Sequence, residues 1–267
     1  INGFKIKKNT VLNAGNSGTL ARCIIGLCSA SKNKFKLIGD KSLSKRDFSR
    51  VIKPLNLFGV NIKSRNDMLP LEFKGSNLLR PINYTENKGS AQIKTCIILS
   101  AINTPGITKI NAKKSRNHTE LLLKYLKYPI KIKSRGTYDQ IKIKGLKQFR
   151  SFNYEVPGDI SSAAFWMVLG CIHPESKVKI TNIGINSTRL GIIDVLKSMN
   201  ANLYLENERE VNNEPIADVI VESSDLTNIE ISGDLVPRII DELPILALAA
   251  CFAKGKTILK NCAIEPE

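Results

Sequence analysis

Five short groups of residues in this chain are equipped to hold an anion or to move a proton. Asn13-Ala14-Gly15-Asn16-Ser17-Gly18-Thr19 is a glycine-containing loop that runs directly into an apolar helical pattern. Exposed N–H groups and the positive end of a helix dipole make such a start an anion site. The spacing is not GxxxxGK[ST], which excludes a nucleotide P-loop. Lys45-Arg46 and Ser115-Arg116 add hydroxyl and cationic groups, and Arg offers a planar fork that matches phosphate or carboxylate. Ser90-Ala91-Gln92 supplies a hydroxyl, a helix start and an amide. Asp241-Glu242 precedes the apolar run Leu243 to Ala250, where helix N–H groups would keep a carboxylate ionised and ready to accept a proton. Each of these starts, with Ser161-Ser162, also reads as ordinary N-capping. Their recurrence is what suggests more, because several helix starts and two arginines could converge on one polyanion.

The recurrence is regular. First-helix starts at Gly18-Thr19, Ser90-Ala91-Gln92, Ser161-Ser162 and Asp241-Glu242 are spaced by 72, 71 and 80 residues, the signature of a repeated supersecondary unit. Second-helix starts at Lys45-Arg46, Ser115-Arg116 and Thr188-Arg189 fall 27, 25 and 27 residues into their copies. The same offset puts a fourth pair at about position 266 to 268, so the chain is expected to be an internal piece of a longer repeat protein. Ile1-Asn2-Gly3-Phe4 is expected to enter as a strand, and no helix is expected after Ala263.

Each copy reads helix, strand, helix, strand and hairpin. In the first, Leu20 to Ser29 is helical and Phe35 to Ile38 a strand, while Phe48, Val51, Ile52, Leu55 and Phe58 mark an amphipathic helix. Pro54 argues against that helix running unbroken. Gly59 stands where a left-handed C-terminal cap belongs, and Asn200 takes the equivalent place in the third copy. In the second copy the helices are Ile93 to Ala101 and Thr119 to Tyr128, the latter stopped by Pro129. Ile130 to Lys133 and Gln140 to Ile143 form a hairpin turning at Ser134-Arg135-Gly136. In the third copy Ala163 to Cys171 and Gly191 to Met199 are the helices. Glu155-Val156-Pro157-Gly158-Asp159 is turn chemistry and the best candidate for a domain boundary.

Composition narrows the partners. With 267 residues and 42% hydrophobic content the chain can hold two ordinary cores. No apolar run reaches the roughly 18 residues of a membrane span, and no signal-like segment is present. The six cysteines form no CxxC pair and are expected to be buried free thiols of a reducing compartment. With only His118 and His173, a multi-histidine metal site is not expected. A formal charge of +16 fits nucleic acid, small anionic substrates, or a lysine-rich solvated surface. Lysines alternate along strand patterns, as in Lys34-Phe35-Lys36, Lys131-Ile132-Lys133 and Lys177-Val178-Lys179, which puts them on a solvated face. Aromatics, at 6%, are not interleaved with them as base-stacking platforms would be.

Seven motifs carry a resemblance. GNSGTLAR (15–22), GDKSLSKR (39–46), GSAQIKT (89–95), SRNHTELLLKYL (115–126), VPGDISSAAF (156–165), NSTRLGIIDVLK (186–197) and VPRIIDELPILALAA (236–250) resemble, in order, the 5-enolpyruvylshikimate-3-phosphate synthase family. The resemblance implies an α/β (α+β) fold of repeated βαβαββ units in two pseudo-threefold domains. On that template residues 1–156 would supply about two of three units and residues 157–267 about one and a half. It implies a transferase that moves the enolpyruvyl group of phosphoenolpyruvate to the 5-hydroxyl of shikimate 3-phosphate. Carried over by motif, Gly18, Arg46 and Gln92 would hold phosphoenolpyruvate. Ser90, Ala91, Gln92, Ser115, Arg116 and Asp241 would contact shikimate 3-phosphate, and Asp241 would be the proton acceptor. No metal, cofactor, nucleic acid or membrane is implied, and the full-length protein would be a cytoplasmic monomer. The family's early Lys-Ser…Arg and later Lys-Glu-Ser-Asp-Arg segments would lie before residue 1 and beyond residue 267. Alternatives are the sister transferase acting on UDP-N-acetylglucosamine, whose reactive-cysteine loop has no match here, and a basic nucleic-acid-binding module.

Overall fold

The computed structural model describes residues 9–260. The chain divides into two units between Arg150 and Ser151. In the first, β1 (Asn9–Asn13), α1 (Gly18–Leu27), β2 (Lys34–Ile38), α2 (Ser49–Phe58), β3 (Asn61–Arg65) and β4 (Met68–Lys74) make one βαβαββ copy. β5 (Asn83–Glu86), α3 (Ala91–Ile102), β6 (Ile107–Lys113), α4 (His118–Tyr125), β7 (Ile130–Arg135) and β8 (Tyr138–Lys144) make the next. The two sheets share one topology, β1-β2-β4-β3 and β5-β6-β8-β7. In each the opening pair is parallel and the other two are antiparallel.

Period-two patterning explains the faces. Phe35 and Leu37 on β2 and Leu71 and Phe73 on β4 are buried, with the Phe35 and Phe73 rings stacked at 4.9 Å. Ile110 on β6 lies opposite Ile141 on β8 in the second sheet, and both are buried. The intervening lysines face solvent, as their alternation predicts. Their neighbours differ between sheets. Lys36, Glu72 and Lys63 make one row across β2, β4 and β3, whereas Lys109, Lys142 and Lys131 make the matching row across β6, β8 and β7. Between the sheets' helices, α1 lies close to α3 because residue 26 has no side chain: a Cβ on Gly26 would stand 2.4 Å from the Cys96 carbonyl oxygen.

The second unit contains α5 (Ile160–Ile172), β9 (Lys177–Gly184), α6 (Gly191–Ser198), β10 (Asn202–Val211) and β11 (Glu214–Glu222). Its sheet runs β10-β11-β9, and a parallel bridge from Gly158 to Ile183 takes the place of an opening strand beside β9. The topology is therefore that of the first two copies. β12 (Glu230–Ile231), α7 (Leu243–Phe252) and β13 (Ile258–Leu259) begin the pattern again, with β12 and β13 parallel. Here the outward cations are matched by carboxylates: Lys177 lies 2.8 Å from Glu222, and Lys179 lies 3.2 Å from both Glu206 and Asp218.

Several local expectations are met and some are revised. Gly59 (φ 99°) and Asn200 (φ 66°) are left-handed at their helix ends. α2 runs unbroken through Pro54, because burial of Val51, Ile52, Leu55 and Phe58 outweighs one missing hydrogen bond. α4 ends at Tyr125 rather than Tyr128, since Lys127 turns left-handed (φ 52°) two residues before Pro129. The β7–β8 hairpin turns at Gly136-Thr137, and Ser134-Arg135 belong to β7. The pairs expected at second-helix starts instead lie in turns ahead of them. Lys45 ends a short 3-10 turn, Leu43–Lys45, before α2, while Ser115-Arg116 and Thr188-Arg189 precede α4 and α6. Cys28, Cys96 and Cys171 are buried and Cys23 partly so, but Cys251 is exposed on α7. The strand expected at Ile1 to Phe4, Cys262 and the segment after Ala263 lie outside the described residues.

Candidate anion-binding site

In each copy the candidate residues follow the C-terminal ends of a parallel strand pair. Gly18 follows β1 and Arg46 follows β2; Ser90 to Gln92 follow β5, and Ser115-Arg116 follow β6. In open α/β sheets the crevice beyond those ends is where ligands bind.

Ser17 caps α1, its side chain accepting from the Leu20 N–H at 3.1 Å. Gly15, at φ 56°, makes the bend before it. Asp40 then latches this loop to the turn that follows β2. Its backbone N–H donates to the Gly15 carbonyl at 2.8 Å, and its carboxylate accepts from the Leu43 N–H at 2.7 Å and the Asn16 amide at 2.5 Å. The Leu43 N–H first, then the Asn16 amide, hold the Asp40 carboxyl below the usual carboxylate range. The two motifs are thus one structural piece, and two guanidinium groups arrive at Gly18. A Cβ on Gly18 would stand 3.1 Å from Arg46 Nη1 and 3.3 Å from Arg22 Nη1.

Arg22 is the buried member of this pair, at 6% exposure. Its guanidinium lies 5.5 Å from the Phe48 ring centroid and donates a hydrogen bond to Gln92 Oε1. Gln92 in turn donates to Thr19 Oγ1 at 2.8 Å. Gly18, Arg46 and Gln92 are thereby brought together, with Thr19 of the same helix start and with Arg22, which motif spacing did not single out. Two guanidinium forks at a helix N-terminus, the Arg22 one held by Gln92 and Phe48, suit a small ligand carrying a carboxylate or phosphate.

Ser90 caps α3, accepting from the Ile93 N–H at 3.4 Å, and Ala91 opens the helix. The buried Glu86 carboxylate shapes the loop ahead of it by accepting from the N–H groups of Lys88 and Gly89 at 2.8 and 2.9 Å. One turn further on, Lys94 is fully buried and paired with Glu120 at 2.7 Å. Its ammonium also lies 3.5 Å from the Ser115 carbonyl oxygen. Ser115 Oγ is buried with no hydrogen-bond partner among the described residues, a state that costs about 1–3 kcal/mol unless a ligand satisfies it. Arg116 beside it is partly exposed.

The second unit builds a parallel network from other residues. Asp159, not Ser161 or Ser162, caps α5, accepting from the Ser162 N–H at 2.9 Å. Burial raises the Asp159 pKa, but the Ser162 N–H, the Arg189 charge and the Ser162 hydroxyl outweigh it and lower the net value. Arg189 lies 3.1 Å from Asp159 and donates to Ser161 Oγ at 2.5 Å, while Ser161 donates to Glu242. Glu242 is the N-terminal flanking residue of α7, yet its side chain makes no capping bond and is buried. The expectation that helix N–H groups would hold it is therefore corrected: Ser161 holds it. Asp241 stands exposed on the preceding turn.

A signal for the missed residues existed in the sequence. Arg22 and Lys94 are single cations inside apolar helical runs, and such cations are buried only when paired. What spacing could not say was that the Arg22 partner lies 70 residues away. Among the described residues no group of three or more His, Cys, Asp or Glu is placed to hold a metal ion. No helix among them is long and apolar enough to cross a membrane.

Comparison with known proteins completes the picture. A family model described as EPSP synthase (3-phosphoshikimate 1-carboxyvinyltransferase) matches residues 1–264. A 3-phosphoshikimate 1-carboxyvinyltransferase of Ruthia magnifica subsp. Calyptogena magnifica is 45% identical over 262 residues, covering 98% of this chain and 59% of that protein. The protein of the same name from Gloeothece citriformis is 44% identical over 255 residues, 94% of this chain and 56% of its own. Among solved structures, EPSP synthase from Acinetobacter baumannii superposes with a TM-score of 0.81 at 39% identity, over 94% of this chain and 56% of that one. The enolpyruvyl transferase NikO from Streptomyces tendae, at 15% identity and TM-score 0.60, covers 87% of this chain and 53% of its own, and shares the fold. The chain thus spans between 56% and 59% of the length of these curated relatives. A family match across almost every residue, on a sheet topology repeated copy by copy, means that this chain belongs to the EPSP synthase (3-phosphoshikimate 1-carboxyvinyltransferase) family.

Proposed function

We propose that the protein carrying this chain transfers the enolpyruvyl group of phosphoenolpyruvate to the 5-hydroxyl of shikimate 3-phosphate, in the shikimate route to chorismate and aromatic amino acids. The observation that carries the reading is the meeting of Arg46 and Arg22 at Gly18, with Gln92 tied to Arg22 and Thr19. In this reading Gly18, Arg46 and Gln92 hold phosphoenolpyruvate. Ser90, Ala91 and Gln92 contact shikimate 3-phosphate, and Ser115 and Arg116 meet its phosphate. Asp241 contacts the same substrate and accepts the proton of the 5-hydroxyl. Residues 1–156 and 157–267 are proposed as parts of the two family domains.

The chemistry is an addition followed by an elimination. The 5-hydroxyl oxygen bonds to the enol carbon as its proton leaves and the methylene carbon gains one. The resulting tetrahedral adduct then loses phosphate and a methyl proton, which restores the vinyl group. Such a sequence needs a base, an acid and fixed cations around two phosphates and a carboxylate, and no redox or metal step. We assign the protein to the cytoplasm as a monomer, on the family resemblance and on buried unbridged thiols at Cys28, Cys96 and Cys171.

The test is complementation with the open reading frame that contains these residues, taken to the length of its relatives. It should rescue an aromatic-amino-acid auxotroph that lacks this activity, and the purified protein should release phosphate only when both substrates are present. Soluble protein that fails on both counts overturns the proposal.

A further inference from the structure

Lys94 is the single charged residue in the run Ile93-Lys94-Thr95-Cys96-Ile97-Ile98, and its side chain has no solvent exposure. A dry ion pair is a poor way to hold two helices together, since desolvation offsets its attraction and apolar residues of similar size would serve as well. Its geometry offers a different use. The Lys94 ammonium lies 2.7 Å from Glu120 Oε1 and 3.5 Å from the Ser115 carbonyl oxygen. It therefore ties the first turn of α3, two residues beyond Gln92, to the turn that carries Ser115-Arg116. A second tie runs alongside, where the Thr95 and Thr119 hydroxyls meet at 2.7 Å. On the far side of this joint, Ser115 Oγ and Glu120 Oε2 are buried without hydrogen-bond partners among the described residues.

We infer that Lys94 is a positioning residue for the shikimate 3-phosphate subsite, an inference that rests on the functional reading above. By holding the Ser115 carbonyl and balancing Glu120, it fixes the turn so that the buried Ser115 hydroxyl takes no partner among the described residues and is kept for a phosphate oxygen. Glu120 sets how far the ammonium reaches. Because Glu120 neutralises it, the Lys94 ammonium acts by holding the turn, and the pull on the anion is left to Arg116.

The test uses the full-length enzyme with two variants. Lys94→Met with Glu120→Gln removes both charges while keeping the shapes, so no lone buried charge remains. Its KM for shikimate 3-phosphate should rise about tenfold or more, because the turn is no longer held to within an ångström or so. The KM for phosphoenolpyruvate should stay within about twofold, a split that a general loss of structure would not produce. Glu120→Asp keeps both charges but draws the ammonium off the Ser115 carbonyl, and should raise the same KM about threefold. An unchanged KM for shikimate 3-phosphate in the folded double variant overturns the inference, as does a parallel rise in both KM values. If the double variant does not fold, Glu120→Asp decides in the same way. A wild-type enzyme with no turnover of the two substrates would instead remove the functional reading itself.

Discussion

Arg46 closes on Gly18 from a different motif and a different strand end: its Nη1 would be 3.1 Å from any Cβ placed there. With glycine at residue 18 neither guanidinium has to give the few tenths of an ångström that a Cβ would ask of it, and the helix start becomes a two-arginine cradle.

The first prediction concerns the fork itself. Arg46→Lys keeps the charge but loses the planar geometry, so affinity for phosphoenolpyruvate should fall by about 1.5–3 kcal/mol. The melting temperature should hardly move, because Arg46 lies in a partly exposed turn and fills no core space. Steady-state KM and a thermal melt of the same preparation check both halves.

Arg22 should behave in the opposite manner. Arg22→Met removes the cation over Phe48 and strands Gln92 Oε1, at a cost of about 2–4 kcal/mol of folding stability. Urea unfolding reads this directly, and a loss under about 1 kcal/mol would show that the buried guanidinium serves the ligand alone.

The contrast between these arginines shows what could be read without coordinates. Ser17, Ser90 and the apolar runs behind them announced α1 and α3, since capping and helical periodicity act within one turn of the chain. The repeat of those starts foretold the repeated topology, and Gly59 and Asn200 marked their helix ends. Arg22 and Lys94 were not legible as site residues, because each is defined by a partner brought in by tertiary packing, and Glu242 was legible as a candidate carboxylate but not in its setting. Glu242 illustrates the limit. Position made it a helix cap, but the Ser161 hydroxyl from 81 residues away turned it inward.

Ser161→Ala should destabilise the second unit by about 1–3 kcal/mol, since it leaves the buried Glu242 and the Arg189 fork without their shared hydroxyl. Ser161→Thr, which keeps the hydroxyl, should recover part of that loss. Chemical denaturation of the two variants side by side makes the comparison.

Asp218 should shape the acid limb of stability. Hydrogen bonds from the Asn207 side chain and the Asn182 N–H, with the Lys179 ammonium, lower its pKa from 3.8 to about 2. A folded pKa lowered in this way gives stability that is complete above the ordinary value and is lost as pH falls through the folded one. Wild-type protein should therefore lose stability between about pH 4 and pH 2, and Asp218→Asn should flatten that fall. Melting curves across this window supply the test.

The cysteines should react unequally. Burial pushes the Cys23 thiol up to about 11, against the pull of Arg22, and raises Cys28, Cys96 and Cys171 as well. Cys251 is exposed, with its thiol 3.3 Å from the Ala247 carbonyl. Among the described cysteines it should be the first to be alkylated in the native protein, and Cys251→Ser should remove that fast phase. Peptide mapping after brief labelling identifies the site.

The outer faces of the sheets imply that the two units answer differently to ionic strength. Lys109, Lys142 and Lys131 stand side by side across three strands, and like charges in such a row repel. In the second unit Lys177 and Lys179 are matched to Glu222, Glu206 and Asp218. Raising salt from about 0.01 to 0.15 M shortens the screening length from about 30 to 8 Å. Salt should then relieve the repulsion in the first unit while loosening the ion pairs in the second, so the order in which the units come apart on heating becomes a matter of the medium.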